Sequence, residues 1–250
     1  MKIVVIGGTG LIGSKLVERL RADGHEPAAA SPDTGVNTLT GEGLPEALEG
    51  TRVVVDVSNS PAMDDDAVLD FFQTSSRNLL AAEAAAGVKH HVVLSVVGAD
   101  RLPESGYLRA KVAQEDAVRE GSLPYTILRA SQFFEFIGRL ADSSSNGEVI
   151  NLAPAFVQPE SADDVAATLA DIAVQEPVNG IVELGGPEQF RLDELVRRVL
   201  CASHDERLVR TDVHAPYFGA ELDAHSLTPG AGARIAPTRF EDWLNRSVLA

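Results

Sequence analysis

The feature that most restricts the fold of this chain is the run Gly7-Gly8-Thr9-Gly10-Leu11-Ile12-Gly13, set between an apolar stretch, Ile3 to Ile6, and an amphipathic one, Leu11 to Ala22. In the second stretch Ile12, Leu16 and Leu20 share one face and Gly24 follows the end, so it reads as a helix; the first reads as a buried strand. Gly7, Gly10 and Gly13 carry no Cβ, which lets the backbone turn sharply, approach a diphosphate closely and seat the helix tightly on a sheet. The helix N-terminus then offers unpaired N–H groups and a partial positive charge, worth about 0.3–1 kcal/mol to an anion. The spacing is G-x-x-G-x-x-G rather than G-x-G-x-x-G, and its placement after a strand and before a helix marks it as a phosphate cradle. Its candidate ligating positions are Gly7, Thr9, Gly10, Leu11, Ile12 and Gly13.

Strand and helix patterns alternate from there. Ala28 to Ala30 is a weak strand closed by Ser31-Pro32, a short helix lies near Leu44 to Leu48, and Val53 to Val57 is a clear strand. A long helix from Asp65 to Ala86, with Asp64-Asp65-Asp66 as its negative first turn, stops at Gly87. The strand His91 to Val96, the helix Gly106 to Glu120 and the strand Tyr125 to Leu128 follow. Buried apolar strands separated by helices predict an α/β fold with a Rossmann-like, doubly wound parallel sheet. After Arg129 the pattern loosens. Phe133, Phe134 and Phe136 form a cluster suited to core or to a pocket wall, and Ser143 to Gly147 reads as a turn. A helix from Ala162 to Val174 capped by Ser161, a strand from Ile181 to Leu184 and a helix from Leu192 to Leu200 are expected, with an aperiodic remainder from Leu208. The whole of 1–250 reads as one domain, with a core over about 1–130 and a small α/β lobe over about 131–250 that returns to the core and covers the carboxyl edge of the sheet.

Composition narrows the function classes. A hydrophobic content of 44% describes an ordinary soluble globular chain. The net charge of −16 argues against nucleic acid and against an anionic membrane surface, both of which need clustered Lys and Arg. Cys201 is the only cysteine, which fits a reducing, cytoplasmic setting and a small core side chain. The strand pattern begins at Lys2, so no signal peptide is expected, and no apolar run approaches the roughly 20 residues of a membrane helix. His90-His91 reads as a loop cap, and His204, His214 and His225 show no zinc spacing, so no metal is expected.

A second constellation lies further along. Ser95 ends a predicted strand, and Tyr107 and Lys111 fall one turn apart on the next helix, so they can act on one spot. Hydride added to a carbonyl leaves negative charge on oxygen, which needs a proton donor; a tyrosine tuned by a lysine can serve, with a serine to hold the oxygen. Val57, Ser58 and Asn59, ending the strand after the cradle, are expected beside a dinucleotide. No acidic residue closes the second strand to hold an adenosine ribose, and Ser31 stands there instead, which tilts the reading from NAD toward NADP. Asp56 is expected to be a structural acceptor, and Arg129 either an ion-pair partner or a substrate contact.

With these residues in view, the chain resembles the atypical or extended short-chain dehydrogenase/reductases, close to their NmrA-like branch. The resemblance runs through GGTGLIG at 7–13, Arg77-Asn78-Leu79-Leu80, Ala84 to Lys89, Leu94-Ser95, Tyr107 to Lys111, Pro124 to Arg129 and Asp163 to Ala166. It implies an NAD(P)H-dependent oxidoreductase acting on a small carbonyl or hydroxyl compound. Tyr107 is then the acid/base, Lys111 the ribose contact, Ser95 the substrate contact, and Ala130 to Phe133 border nicotinamide and substrate. Members often pair through the helix that begins near Asp65, so a homodimer is an expectation. Two departures stand out. Phe72 occupies the place of an asparagine that holds a relay water in catalytic members, which leaves Asn78 as a loop brace, and Thr40-Gly41 replaces the usual adenine-binding Asp-Leu. Two alternatives therefore accompany the enzyme: a non-catalytic redox sensor, and a sugar-nucleotide epimerase or dehydratase.

Overall fold

A computed structural model describes residues 1–62 and 64–248. Its strands are β1 (Lys2–Ile6), β2 (Glu26–Ala30), β3 (Val53–Asp56), β4 (His90–Val96), β5 (Tyr125–Ala130), β6 (Val149–Leu152), β7 (Phe156–Val157), β8 (Gly180–Gly185), β9 (Phe190–Arg191), β10 (Leu208–Thr211) and β11 (Arg234–Ile235). Its helices are α1 (Leu11–Ala22), α2 (Leu44–Leu48), α3 (Asp65–Ala86), α4 (Gly106–Glu120), α5 (Ile137–Ser143), α6 (Ala162–Val174), α7 (Leu192–Ala202) and α8 (Phe240–Val248). Seven strands form one parallel sheet in the order β11-β8-β5-β4-β3-β1-β2. The chain leaves β1 outward to β2 and then returns to its other side as β3, with Val4 beside both Ala28 and Val54. That reversal opens a crevice at the carboxyl ends of β1 and β3, where open α/β sheets bind ligands.

The chain divides into two compact units. The first, Met1–Ser95, Gly106–Arg129 and Val165–Val182, holds the cradle strands and helices. Its core is the near-continuous apolar face that a parallel sheet buried on both sides requires: Ile3, Val4, Val5, Val54, Val55, Val92 and Val93 are fully buried. The α3 N-terminus is closed by Asp64, whose carboxylate accepts the Ala67 N–H at 3.1 Å, and its C-terminus by Gly87. The second unit, Val96–Ser105, Ala130–Asp164 and Glu183–Ala250, is packed around Phe134, Phe240 and Trp243, whose rings lie 5.2–6.1 Å apart. Phe134 is thus core, whereas Phe136 is half-buried and stacks on Phe218 at 6.1 Å.

Several expectations need correction. The remainder from Leu208 is not aperiodic: it supplies β10, β11 and α8, the last an amphipathic helix that buries Phe240. β6 and α5 also lie where only a loose pattern was legible. His90 and His91 do not cap a loop but are buried in β4, His90 Nε2 at 2.9 Å from the Thr126 hydroxyl and His91 Nδ1 at 2.9 Å from the Glu83 carboxylate. Cys201 is exposed on α7 rather than buried. Among the described residues no helix is long and apolar enough to cross a membrane.

Candidate functional site

Gly7 leaves β1 with φ +75°, a region L side chains rarely adopt, and a Cβ there would lie 2.9 Å from the Ser58 backbone nitrogen. Gly13 is barred to any side chain because its Cβ would stand 2.1 Å from the Gly7 carbonyl oxygen. The loop is pinned at both ends, with Gly7 N–H donating to the Ala30 carbonyl at 2.8 Å and Gly10 N–H to that of Gly7 at 3.0 Å. Thr9, Gly10 and Leu11 are exposed at its crest, and Ile12 and Gly13 turn inward. Helix α1 follows its N-cap Gly10 with no side-chain cap and no acidic residue in its first turn, whereas α3, α7 and α8 each carry two. Its N-terminal N–H groups and dipole are therefore uncompensated, which suits a diphosphate. Val57 N–H donates to the Ile6 carbonyl at 3.0 Å, so Val57, Ser58 and Asn59 run beside the cradle. Lacking room for a Cβ and holding the dipole free, these residues fit a dinucleotide.

Ser31 sits where the second strand ends, as expected, but its hydroxyl is turned inward and buried, while Thr34 Oγ1 accepts the Ser31 N–H at 2.9 Å. The residue closes a turn. Asn78 braces the neighbouring loop, donating to the carbonyls of Thr38 and Leu39 at 2.9 Å each.

The Ser95, Tyr107 and Lys111 group lies in the same unit, each member held in a specific way. Lys111 on α4 is buried, donates to the Leu94 carbonyl at 2.8 Å and to the Gln114 side-chain oxygen, and lies 4.5 Å from the centroid of the Phe72 ring. Burial pulls it down to about 8, against the upward pull of the Asp56 and Glu115 carboxylates. Tyr107 is half-buried in a cluster of Val68, Phe72 and Ala110, its ring edge-on to Phe72 at 6.4 Å. Burial pushes its phenol up to about 12, the opposite of the lowering by lysine that the spacing led one to expect. Ser95 donates its hydroxyl proton to Glu115 at 2.6 Å. The same buried carboxylate takes Arg129 Nε at 2.8 Å and Nη2 at 2.7 Å, and Arg119 Nη2 at 2.7 Å. Arg129 is therefore an ion-pair partner.

Asp56 closes β3 as the structural acceptor expected of it, receiving the Ser58 N–H at 2.9 Å, the Ser58 hydroxyl at 2.6 Å and Gln114 Nε2 at 3.0 Å. Sequence reasoning missed Gln114 and Glu115. Their signal was spacing: they follow Lys111 by three and four residues on one helix face. In the second unit, Ala130 is fully buried and accepts the Val97 N–H at 2.9 Å, while Phe133 is half-buried beside Glu160. Glu160 itself accepts the Ser131 N–H at 2.9 Å, and burial holds its carboxyl well above the usual range.

A parallel sheet reversing at β1, a glycine cradle at the reversal and an uncapped helix pointing into it define a Rossmann-type dinucleotide-binding protein. Residues 7–176 match the family described as NAD(P)H-binding, and the chain belongs to it. It is 23% identical over 215 residues to the photosystem II assembly factor Ycf39 of Cyanophora paradoxa, covering 79% of this chain and 67% of that one. It is 29% identical over 220 residues to the chloroplastic divinyl chlorophyllide a 8-vinyl-reductase of Oryza sativa subsp. indica, covering 74% and 54%. The chain spans about half to two thirds of the length of the curated relatives it matches. Among solved structures, MoeE5 in complex with UDP-glucose and NAD superposes with a TM-score of 0.75 at 19% identity, covering 100% of this chain and 98% of that one, which shows a shared fold.

Proposed function

We propose that this chain is an NAD(P)H-dependent reductase acting on a small molecule with a polarised double bond, a carbonyl or an alkene activated by one. Bound at the cradle, the dinucleotide would supply the hydride. Residues 7–13 hold its diphosphate through backbone N–H groups, and Lys111 meets its ribose. The observation that carries the reading is geometric: Tyr107 stands one helical turn before the buried Lys111 on α4, in the unit that holds the glycine cradle. The naming of relatives as reductases supports reduction as the working direction. The naming of one relative as a vinyl-reductase supports an alkene as acceptor. The test is NADPH or NADH oxidation against a panel of aldehydes, ketones and enones. Tyr107→Phe should lower turnover by about 10²–10⁴-fold while cofactor affinity holds; full turnover in that variant overturns the role.

A second reading, a dinucleotide-responsive protein without turnover, is favoured by Phe72. Its ring lies against both Lys111 and Tyr107 where a relay asparagine would serve catalysis, and the Ser95 proton is committed to Glu115. It predicts tight binding, a conformational difference between the NADP+ and NADPH complexes, and no consumption with any acceptor in the panel.

A further inference from the structure

We propose that Asp56 and Gln114 are positioning residues that set the direction and charge of Lys111, and that they tie it to the strand end beside the glycine cradle. The proposal deepens the reading of Lys111 as a cofactor contact and rests on it for its functional meaning. Gln114 is almost fully buried and lies between Asp56 and Lys111, its Nε2 donating to Asp56 Oδ2 at 3.0 Å and its oxygen accepting from Lys111 Nζ. An ionised carboxylate only accepts, and an ammonium only donates. Turning the Gln114 amide round would therefore set its NH2 against the ammonium and its oxygen against the carboxylate, two repulsions between groups buried from solvent.

Asp56 can enforce that direction because it is itself immobile. It is buried at the end of β3, and its other oxygen is fixed by the Ser58 N–H and hydroxyl. Ser58 in turn abuts Gly7 so closely that a Cβ on Gly7 would collide with it. The chain of contacts thus runs from the phosphate loop through Ser58, Asp56 and Gln114 to Lys111. The groups bearing on Lys111 are Asp56 from β3, Glu115 from its own helix, the Leu94 carbonyl from β4 and the Phe72 ring from α3. Glu83 of α3 and His91 of β4 act on this set through Asp56.

Only four lysines occur in the chain (Lys2, Lys15, Lys89 and Lys111), so this chain labelled with ¹³C-lysine allows each ammonium to be titrated by NMR, with Lys111→Arg giving the assignment. Gln114→Leu and Asp56→Asn should each lower the Lys111 midpoint by about one pH unit, tenfold in proton affinity, and weaken NADPH about tenfold. Asp56→Asn should have a smaller effect in the Gln114→Leu background, because part of its influence passes through the amide. An unchanged Lys111 midpoint in a folded Gln114→Leu protein overturns the proposal; should Asp56→Asn fail to fold, this variant alone decides. A shifted midpoint with unaltered NADPH affinity upholds the positioning chain and refutes Lys111 as a cofactor contact.

Discussion

Gly13→Ala is the sharpest probe of the cradle. The added methyl would stand 2.1 Å from the Gly7 carbonyl oxygen, 2.7 Å from Gly8 Cα and 2.8 Å from the Gly7 carbonyl carbon, where Cβ atoms keep at least 3.0 Å. All three atoms are backbone, so no side chain can swing aside. The loop must move instead, and it is anchored by the 2.8 Å bond from Gly7 N–H to Ala30 and the 3.0 Å bond from Gly10 N–H to Gly7. Overpacking of this kind costs about 1–3 kcal/mol. If the cost is borne by displacing the N–H groups that grip the diphosphate, it appears as about 5- to 150-fold weaker NADPH binding, at 1.4 kcal/mol per factor of ten. Fluorescence titration of NADPH reads that change, with thermal unfolding measured on the same samples. Gly138→Ala is the control, since a Cβ there meets nothing within 4 Å, and it should bind NADPH as the parent does. A Gly13→Ala protein with parental melting temperature and parental NADPH affinity would refute the reasoning.

Two further outcomes follow from buried charge. Glu115→Gln removes the buried carboxylate shared by Ser95, Arg119 and Arg129, so urea unfolding should show a loss of about 3–5 kcal/mol. A loss within error of zero would mean that this centre is dispensable. Burial works to push His91 down, but the Glu83 carboxylate 2.9 Å from Nδ1 outweighs it and holds the imidazole above its ordinary value; burial also raises Glu83. The raised imidazole keeps its proton in the folded chain where the unfolded chain has lost it, so its stabilisation is complete below about pH 6.5 and lost as pH climbs through the raised imidazole value. Glu83→Gln should therefore melt below the parent by a margin widest near pH 6 and narrowing toward pH 9; a margin independent of pH contradicts the pairing.

The cradle was legible because its physics is local: strand, glycine spacing and helix are consecutive in the chain, and Gly7 and Gly13 have steric reasons to be glycine. Strands β1, β3, β4 and β5 were legible because buried parallel strands are rich in Val, Ile and Leu, whereas β2, Glu-Pro-Ala-Ala-Ala, showed only weakly. The surroundings of Lys111 were not. That Asp56, 55 residues away, should reach it through Gln114 depends on β3 and α4 meeting in space, which no spacing along the chain encodes. His90 and His91 misled because two polar residues before a strand look like a loop until Glu83 and Thr126 supply their partners. The C-terminal strands escaped because β10 and β11 are four and two residues long, too short to show a period.

The outer rim of the sheet has a consequence for self-association. In β2 the Glu26 N–H bonds inward to Met1, so by alternation Pro27 and Ala29 look outward. Pro27 has no N–H to offer, and the Ala29 carbonyl already receives the Thr34 hydroxyl at 3.2 Å. The opposite rim, β11, is two residues long. The two borders of the seven-stranded sheet therefore give a foreign strand little to pair with, so copies that met along them would have to do so through side chains.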